Sequence, residues 1–305
     1  MADTALDLPL FHSGKVRKTY TIETSKVQVP GLLLVVASDR ISTHNEVHNT
    51  RIYKKGELLT ALTHFWATNM HGIRNLTHIY VSGARIWALL PEKIRQQHPL
   101  LHHRAFVIHK LNMIPYEFIY RNFLTGSLFK AYKLGLDPYG LKLPKGLKEM
   151  HRFDEPIFTP TDKSDTDPPQ NADMVMKAFR NAYRTGLEAF NKMTRNLDRA
   201  GITLIDSKFE FGLDKNMTTL LADEFGTMDS SRFLLTQDLK SADPFWLDKQ
   251  YFRNIVEARV KQSGGKVVPI SFSPAEVAEG LHRMHTVFQK ITGMPLALYQ
   301  QTYLD

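Results

Sequence analysis

A chain of 305 residues, 43% hydrophobic and 23% charged, can build a large core and has the length of about two domains at roughly 100–200 residues each. It has no cysteine, which excludes disulfides, thiol nucleophiles and thiolate metal sites and leaves its chemistry to oxygen and nitrogen groups. Thirty-nine Lys and Arg against thirty-one Asp and Glu give a net charge of +8, which suits an anionic partner such as a phosphate, nucleotide, nucleic acid or carboxylate.

HSGKVRKTY and SKVQVPGLLLVVASDR predict two strands, the second reached through a Pro30-Gly31 turn and ending in a wholly apolar run. GELLTALTHFWATNM puts Leu58, Leu62, Phe65 and Trp66 on one helical face, and RAFVIHKL returns to strand. Residues 1–112 therefore predict a small sheet-rich lobe, and LNMIPYEF, with Pro115, connects it to a second lobe over 113–305. There, YEFIYRNFLTG predicts a strand and SLFKAYKLG a short helix, capped by Ser127 and stopped at Gly135. Residues 136–170 carry prolines at 138, 144, 156, 160, 168 and 169, so little regular structure is expected. Met174, Ala178, Ala182, Phe190, Met193 and Leu197 predict one long helix from Asn171 to Gly201.

LIDSKFEFG follows as a strand, then a GLDKNM turn and TTLLADEF. LDKQYFRNIVEARV predicts a helix, and SPAE at 273–276 is a capping box with proline at the first helical position, opening the last main helix towards Gly293. The outline is α+β, two lobes with a cleft between them. The longest strongly apolar run, Leu32 to Ala37, is far below the roughly 18 to 20 residues of a membrane span. With no basic, apolar secretory start either, no membrane association and a cytoplasmic location are expected, as a monomer or small homo-oligomer.

In LIDSKFEFG, period-2 alternation sends Ile205, Phe209 and Phe211 towards a core and lines up Asp206, Lys208 and Glu210 on the other face. Taken alone, that face reads as solvated surface. Three groups together point instead to phosphate chemistry. Gly14 with Lys15 and Arg17 is a glycine turn with cations two residues apart, suited to a polyphosphate tail, although neither a Walker A loop nor a kinase GxGxxG. Glu210 and Asp223, on adjacent strands, can share a Mg²⁺ that prefers oxygen donors, with Lys208 to neutralise a transferring phosphoryl group. That pairing requires a ladder joining odd-numbered to even-numbered positions. SDRIST, YRNFLTGSL and DSSRF each set an arginine beside hydroxyls, a pattern for phosphate or carboxylate recognition. The thirteen histidines form no metal pattern, since His102 and His103 cannot face one ion from a single strand or helix.

GKVRKTY, VVASDRIST, KKGELLTALTHFW, YRNFLTGSL, LPKGLKEMHRFDEPIFTPT, LIDSKFEFG, LADEFGTMDSSRF, LDKQYFRNIV and FQKITG, in this order over about residues 13–293, resemble the SAICAR synthetase family of de novo purine synthesis. The resemblance implies a two-lobed fold with ATP in the cleft, distantly similar to protein kinases. It implies an ATP-dependent ligase joining L-aspartate to 5-amino-1-(5-phospho-D-ribosyl)imidazole-4-carboxylate, through phosphorylation of that carboxylate, with ATP and Mg²⁺ required. By the same resemblance Gly14, Lys15 and Arg17 form a phosphate loop and Lys110 to Met113 a hinge against adenine. Lys208, Glu210 and Asp223 serve the triphosphate and Mg²⁺. Arg121, Ser127 and Arg232 hold the ribotide, with Asp39, Arg40 and Ser42 in a neighbouring loop, and Asp206 touches the imidazole amine or the metal.

The chain departs from the family pattern at Thr43, His44 and Asn45, at Tyr53 and Lys54, and in the stretch containing Lys163 and Asp167. A small-molecule kinase acting on a hydroxyl uses the same kind of cleft, but the protein-kinase HRD and DFG sequences are absent. A basic nucleic-acid-binding protein is the other alternative, although KLPKGLKEMHR lacks interleaved aromatics.

Overall fold

The computed structural model describes residues 6–22, 31–70, 72–73, 76–164, 166–241 and 244–305, and Pro30 of the expected turn lies outside them. HSGKVRKTY is not one strand but a hairpin, β1 (Leu10–Ser13) and β2 (Arg17–Thr21), folded back at Gly14, whose N–H donates to the Arg17 carbonyl at 2.8 Å. Next come β3 (Leu32–Ala37), the small pair β4 (Arg40–Thr43) and β5 (Glu46–Arg51), helix α1 (Lys55–Asn69), β6 (Ile79–Ser82), helix α2 (Glu92–Gln97) and β7 (Ala105–His109). The first sheet has the order β1-β2-β3-β7-β6. LLLVVA is apolar on both faces: Leu32 and Leu34 pack with Tyr20, Ile86, Ile94 and Val107, while Leu33 lies beside Phe106 and Ile108 on the face that lines a cleft.

Leaving β7 at His109, the chain joins the second sheet at β8 (Asn112–Met113), followed by β9 (Tyr116–Leu124) and helix α3 (Gly126–Lys133). This helix begins after Thr125 rather than at the expected cap Ser127, which sits inside its first turn. The proline-rich stretch is also more ordered than expected. It contains β10 (His151–Phe158) and β11 (Thr161–Asp162), both returning along β9, with Pro156 in the irregularity between Arg152 and Ile157 where no ladder hydrogen bond is required.

The expected long helix is two, α4 (Ala172–Ala178) and α5 (Arg180–Arg199). The break falls at Phe179, whose φ of −127° and ψ of 50° leave helical geometry and whose ring packs on Tyr116. Then come β12 (Ile202–Leu213), β13 (Thr219–Ala222), β14 (Ser231–Leu235), α6 (Gln250–Ser263), α7 (Pro274–Thr292) and a further helix, α8 (Leu296–Tyr303). The Ser273–Glu276 capping box is formed in both directions.

The second sheet runs β10-β9-β12-β13, with β11 on β9 and both β14 and β8 on β12. Its core joins Phe118, Phe209, Phe211 and Phe233 to Phe190 and Met193 of α5 and to α7. Helix α1, although it lies between β3 and β6 of the first sheet in sequence, is buried in that same core. Its Trp66 donates to the Gly226 carbonyl at 2.9 Å and its His64 meets the Tyr299 hydroxyl at 2.8 Å. No helix among the described residues is long and apolar enough to cross a membrane.

Helix α5 lies so close to β9 that a Cβ on Gly186 would stand 2.7 Å from the Tyr120 ring. Gly186→Ala should therefore lower stability by about 1–3 kcal/mol through overpacking, although alanine alone favours a helix interior by about 1 kcal/mol; thermal unfolding reads the sign.

Candidate functional site

The charged face of β12 is enclosed. β9 and β14 flank it at Asp206, pairing Asp206 with Arg121 on one side and with Arg232 on the other. The ladder to β14 skips Ile205, a one-residue bulge that reverses the alternation: Leu204 shares the main core with Phe209 and Phe211, while Ile205 packs with Phe123 and Leu234 in a separate cluster. The expectation that Ile205 joins the two phenylalanines is corrected by that bulge.

Asp206 Oδ2 accepts from Arg121 Nη1 at 2.6 Å, and Arg232 reaches the same carboxylate through Nε at 3.0 and 3.1 Å and through Nη2. Arg121 also donates from Nε to Thr159 Oγ1 at 2.8 Å and from Nη2 to Ser127 Oγ at 3.4 Å. Arg121, Ser127, Arg232 and Asp206 thus form one cluster. Burial would push the Asp206 carboxyl up, but Arg232 and Arg121 outweigh it and hold it below its usual value. Both Asp206 oxygens are engaged by guanidinium groups, and the carboxylate ties Arg121 and Arg232 together.

Two and four residues on, Lys208 Nζ donates to Glu117 Oε1 at 2.9 Å and to Glu210 Oε1 at 2.6 Å, and Lys163 Nζ pairs with Glu210 Oε2. Burial alone would raise Glu210; Lys208 and Lys163 hold it instead at about 2. The β12–β13 ladder pairs Glu210 with Ala222, even with even, so plain alternation would turn Asp223 away from Glu210. Asp223 comes after the last residue of β13, with a left-handed φ of 56°, and this break in the alternation lets it line the same cleft as Glu210. Burial, with the Glu210 charge adding to it against Arg17, raises the Asp223 carboxyl to about 6.

That cleft, about 810 Å³, lies between the two sheets. Leu33, Val35 and Ala37 of β3 with Phe106 and Ile108 of β7 make an apolar wall. Lys110, Leu111 and Met113 line it where the chain passes from one sheet to the other, with Lys110 Nζ 4.8 Å from the centre of the Phe11 ring. Gly14, Lys15, Arg17, Lys208, Glu210 and Asp223 line it as well. Arg17 bridges Asp223 and Glu224 across the cleft, and Lys15 Nζ donates to Asn45 Oδ1 at 2.8 Å. One cavity therefore gathers an apolar slot, a glycine turn, cations and paired carboxylates, the groups a nucleoside polyphosphate needs.

The SDRIST residues are not in its lining. Asp39 accepts from the Gly56 N–H at 3.1 Å at the start of α1 and faces Arg104 Nη2 at 3.4 Å, Arg40 Nη2 donates to the Gly14 carbonyl at 3.1 Å, and Ser42 is buried in β4. The Asp39 and Arg40 contacts support the start of α1 and the Gly14 turn. In DSSRF too the groups are used internally: Ser231 Oγ meets Ser207 Oγ at 2.8 Å, and Asp229 binds Lys55 at 2.6 Å.

Sequence reasoning missed Glu117, Lys55 and Glu224, and named Lys163 only as part of a departing stretch. A signal existed for Glu117. YEFIYRN alternates with Glu117 and Arg121 on one face, the antiparallel complement of Asp206 and Lys208. His102 and His103 also depart from expectation, because a 3₁₀ turn over Leu101–His103 brings both Nε2 atoms to Asp305 Oδ1.

The fold and cleft define an α+β ligase class represented by solved SAICAR synthases. The SAICAR synthase from Saccharomyces cerevisiae solved in complex with SAICAR superposes with a TM-score of 0.81 at 31% identity, covering 96% of this chain and 98% of that one. Phosphoribosylaminoimidazole-succinocarboxamide synthases from Saccharomyces cerevisiae and Actinobacillus succinogenes are each 36% identical, over 84% and 90% of this chain and 86% and 94% of their own lengths. The family model described as SAICAR synthetase matches residues 10–269, and the chain belongs to that family.

Asp206→Asn should leave two buried guanidinium groups short of a counter-charge and destabilise the fold by about 3–5 kcal/mol. Because the Asp206 carboxyl titrates below 3.8 when folded, the stabilisation is present above that pH and lost as acid protonates it. Urea unfolding at pH 7 and at acid pH should show the gap between parent and variant narrowing towards low pH.

Proposed function

We propose that this chain condenses L-aspartate with 5-amino-1-(5-phospho-D-ribosyl)imidazole-4-carboxylate at the expense of ATP, giving SAICAR, ADP and phosphate. The observation that carries the reading is the single face of β12, on which Lys208 and Glu210 line the cleft and Asp206 holds the arginine cluster. A nucleotide and an anionic second substrate can then meet along one strand.

In this reading residues 1–112 and 113–305 are the two lobes. The apolar wall of β3 and β7 takes adenine, with Lys110 and Met113 at its edge, and Gly14, Lys15 and Arg17 take the phosphates. Arg121, Ser127 and Arg232 bind the ribotide. Asp39 and Arg40 act behind them, through the α1 terminus and the Gly14 turn, in the segment that also holds Ser42.

Mg²⁺ fits the donor set. Glu210 and Asp223 are hard oxygen donors that line the same cleft, and Asp223 is buried there beside the Glu210 charge, where a bound cation would favour the ionised form of both. When bound there, the ion would supply charge neutralisation to the phosphate oxygens. Lys208 has the reach to neutralise charge on the transferring group, and its own charge is held firmly by Glu210 and Glu117 against the effect of burial.

A carboxylate is a poor electrophile. Transfer of the γ-phosphoryl to a ribotide carboxylate oxygen, with ADP leaving, makes it an acyl phosphate. The aspartate amine then adds to the acyl carbon, the C–O bond to phosphate breaks, and the nitrogen loses a proton as the amide forms. Most of the catalysis is positioning and charge neutralisation.

Coupled assay of ADP release tests the reaction: full turnover should require both the imidazole carboxylate and L-aspartate, and turnover on a hydroxyl substrate alone would contradict it. Glu210→Gln should cut kcat/KM for ATP by about 100-fold or more, as removal of a group stabilising transition-state charge does, with a cooperative unfolding transition retained.

A further inference from the structure

The 3₁₀ turn at Leu101–His103 and the chain end after α8 meet far from β12 in sequence. His102 Nε2 and His103 Nε2 lie 2.8 and 2.7 Å from Asp305 Oδ1, and the two rings stand 4.2 Å apart at a tilt of 55°. One donor atom from each of the three residues falls within 4.8 Å of the others. Both histidines are buried and Asp305 is about half exposed, so the cluster is built on its protein side and open on its solvent side.

We propose that His102, His103 and Asp305 bind a divalent transition-metal ion of the zinc class. Two imidazole nitrogens with one carboxylate oxygen form a borderline donor set that favours Zn²⁺ or Co²⁺ over Mg²⁺, with a position left for water. In the metal-free protein one carboxylate oxygen serves two imidazole N–H groups. The Nδ1 of His102 is buried with no hydrogen-bond partner among the described residues, so the bond to Asp305 sets the proton on Nε2 in the metal-free protein, and coordination through Nε2 would shift that proton to Nδ1.

The site would join the first lobe to the end of the chain. Leu304 already accepts from the Ala84 N–H at 2.6 Å, and Gln300 Nε2 donates to Glu57 Oε2 at 2.9 Å. The ion adds a cross-link between segments some 200 residues apart in sequence. Its role is structural, separate from the nucleotide cleft, whose lining includes none of the three residues.

The test uses full-length protein stripped with EDTA and titrated with Co²⁺, then Zn²⁺, without ATP or Mg²⁺. One saturable equivalent of Co²⁺ with visible d–d bands, displaced by Zn²⁺, and a Zn²⁺-dependent rise in Tm are expected. His103→Gln and Asp305→Asn should each lose more than the roughly 10–100-fold in affinity typical of an outer-shell partner, and with it the rise in Tm, whereas His151→Gln keeps both. Each variant is compared with its own metal-free form, so a change in basal stability does not count. Asp305 is half exposed, so its variant keeps the packing of the histidines. Absence of a saturable equivalent, or Co²⁺ binding by both variants equal to the parent's, would overturn the proposal.

Discussion

Charge taken out of water must be met by opposite charge, and this constraint shapes the whole interior around β12. Asp206, Lys208 and Glu210 project from a strand with neighbours on both sides, and each is answered from another segment: Arg121 and Glu117 from β9, Arg232 from β14, Lys163 from the stretch after β11. The proline-rich segment is ordered as two strands on β9 in part because it delivers Lys163 to Glu210. A network of this kind is costly to leave incomplete, so it constrains the register of the sheet along with the phenylalanines behind it. It also yields a surface where cations and carboxylates alternate at strand spacing, which suits holding two anionic substrates near one another.

Much of this was legible in the sequence because it rests on local rules. Period-2 alternation revealed β12 and the Ser273 capping box revealed α7, and the glycine turn singled out with Lys15 and Arg17 lines the cleft. What was not legible depends on contacts remote in sequence. The bulge at Ile205 and the left-handed φ of Asp223 break the alternation at single residues, and no periodicity reveals them. The break at Phe179 depends on the Tyr116 ring, and the meeting of His102 with His103 on a 3₁₀ turn depends on geometry outside the usual strand and helix templates.

The departures from the family pattern also acquire physical reasons. Lys54 adopts a left-handed φ of 64° directly before α1, a conformation glycine would take without strain. His44 and Asn45 form the tip of the β4–β5 hairpin with φ of 50° and 65°, and Asn45 connects Lys15 to Asp167. These exchanges lie around the phosphate turn, while the β12 face itself keeps its acid, base, acid order.

The central claim is a division of labour along β12, with nucleotide at the Lys208–Glu210 end and ribotide at the Asp206 end. Steady-state kinetics of Arg232→Lys test it most directly, because lysine keeps a charge for Asp206 but loses the planar, two-pronged donor. The account predicts a KM for the imidazole carboxylate ribotide raised by about 10-fold or more, the size expected for a lost charge-assisted hydrogen bond, with the KM for ATP unchanged. A rise in the KM for ATP with the ribotide KM unaffected would contradict it.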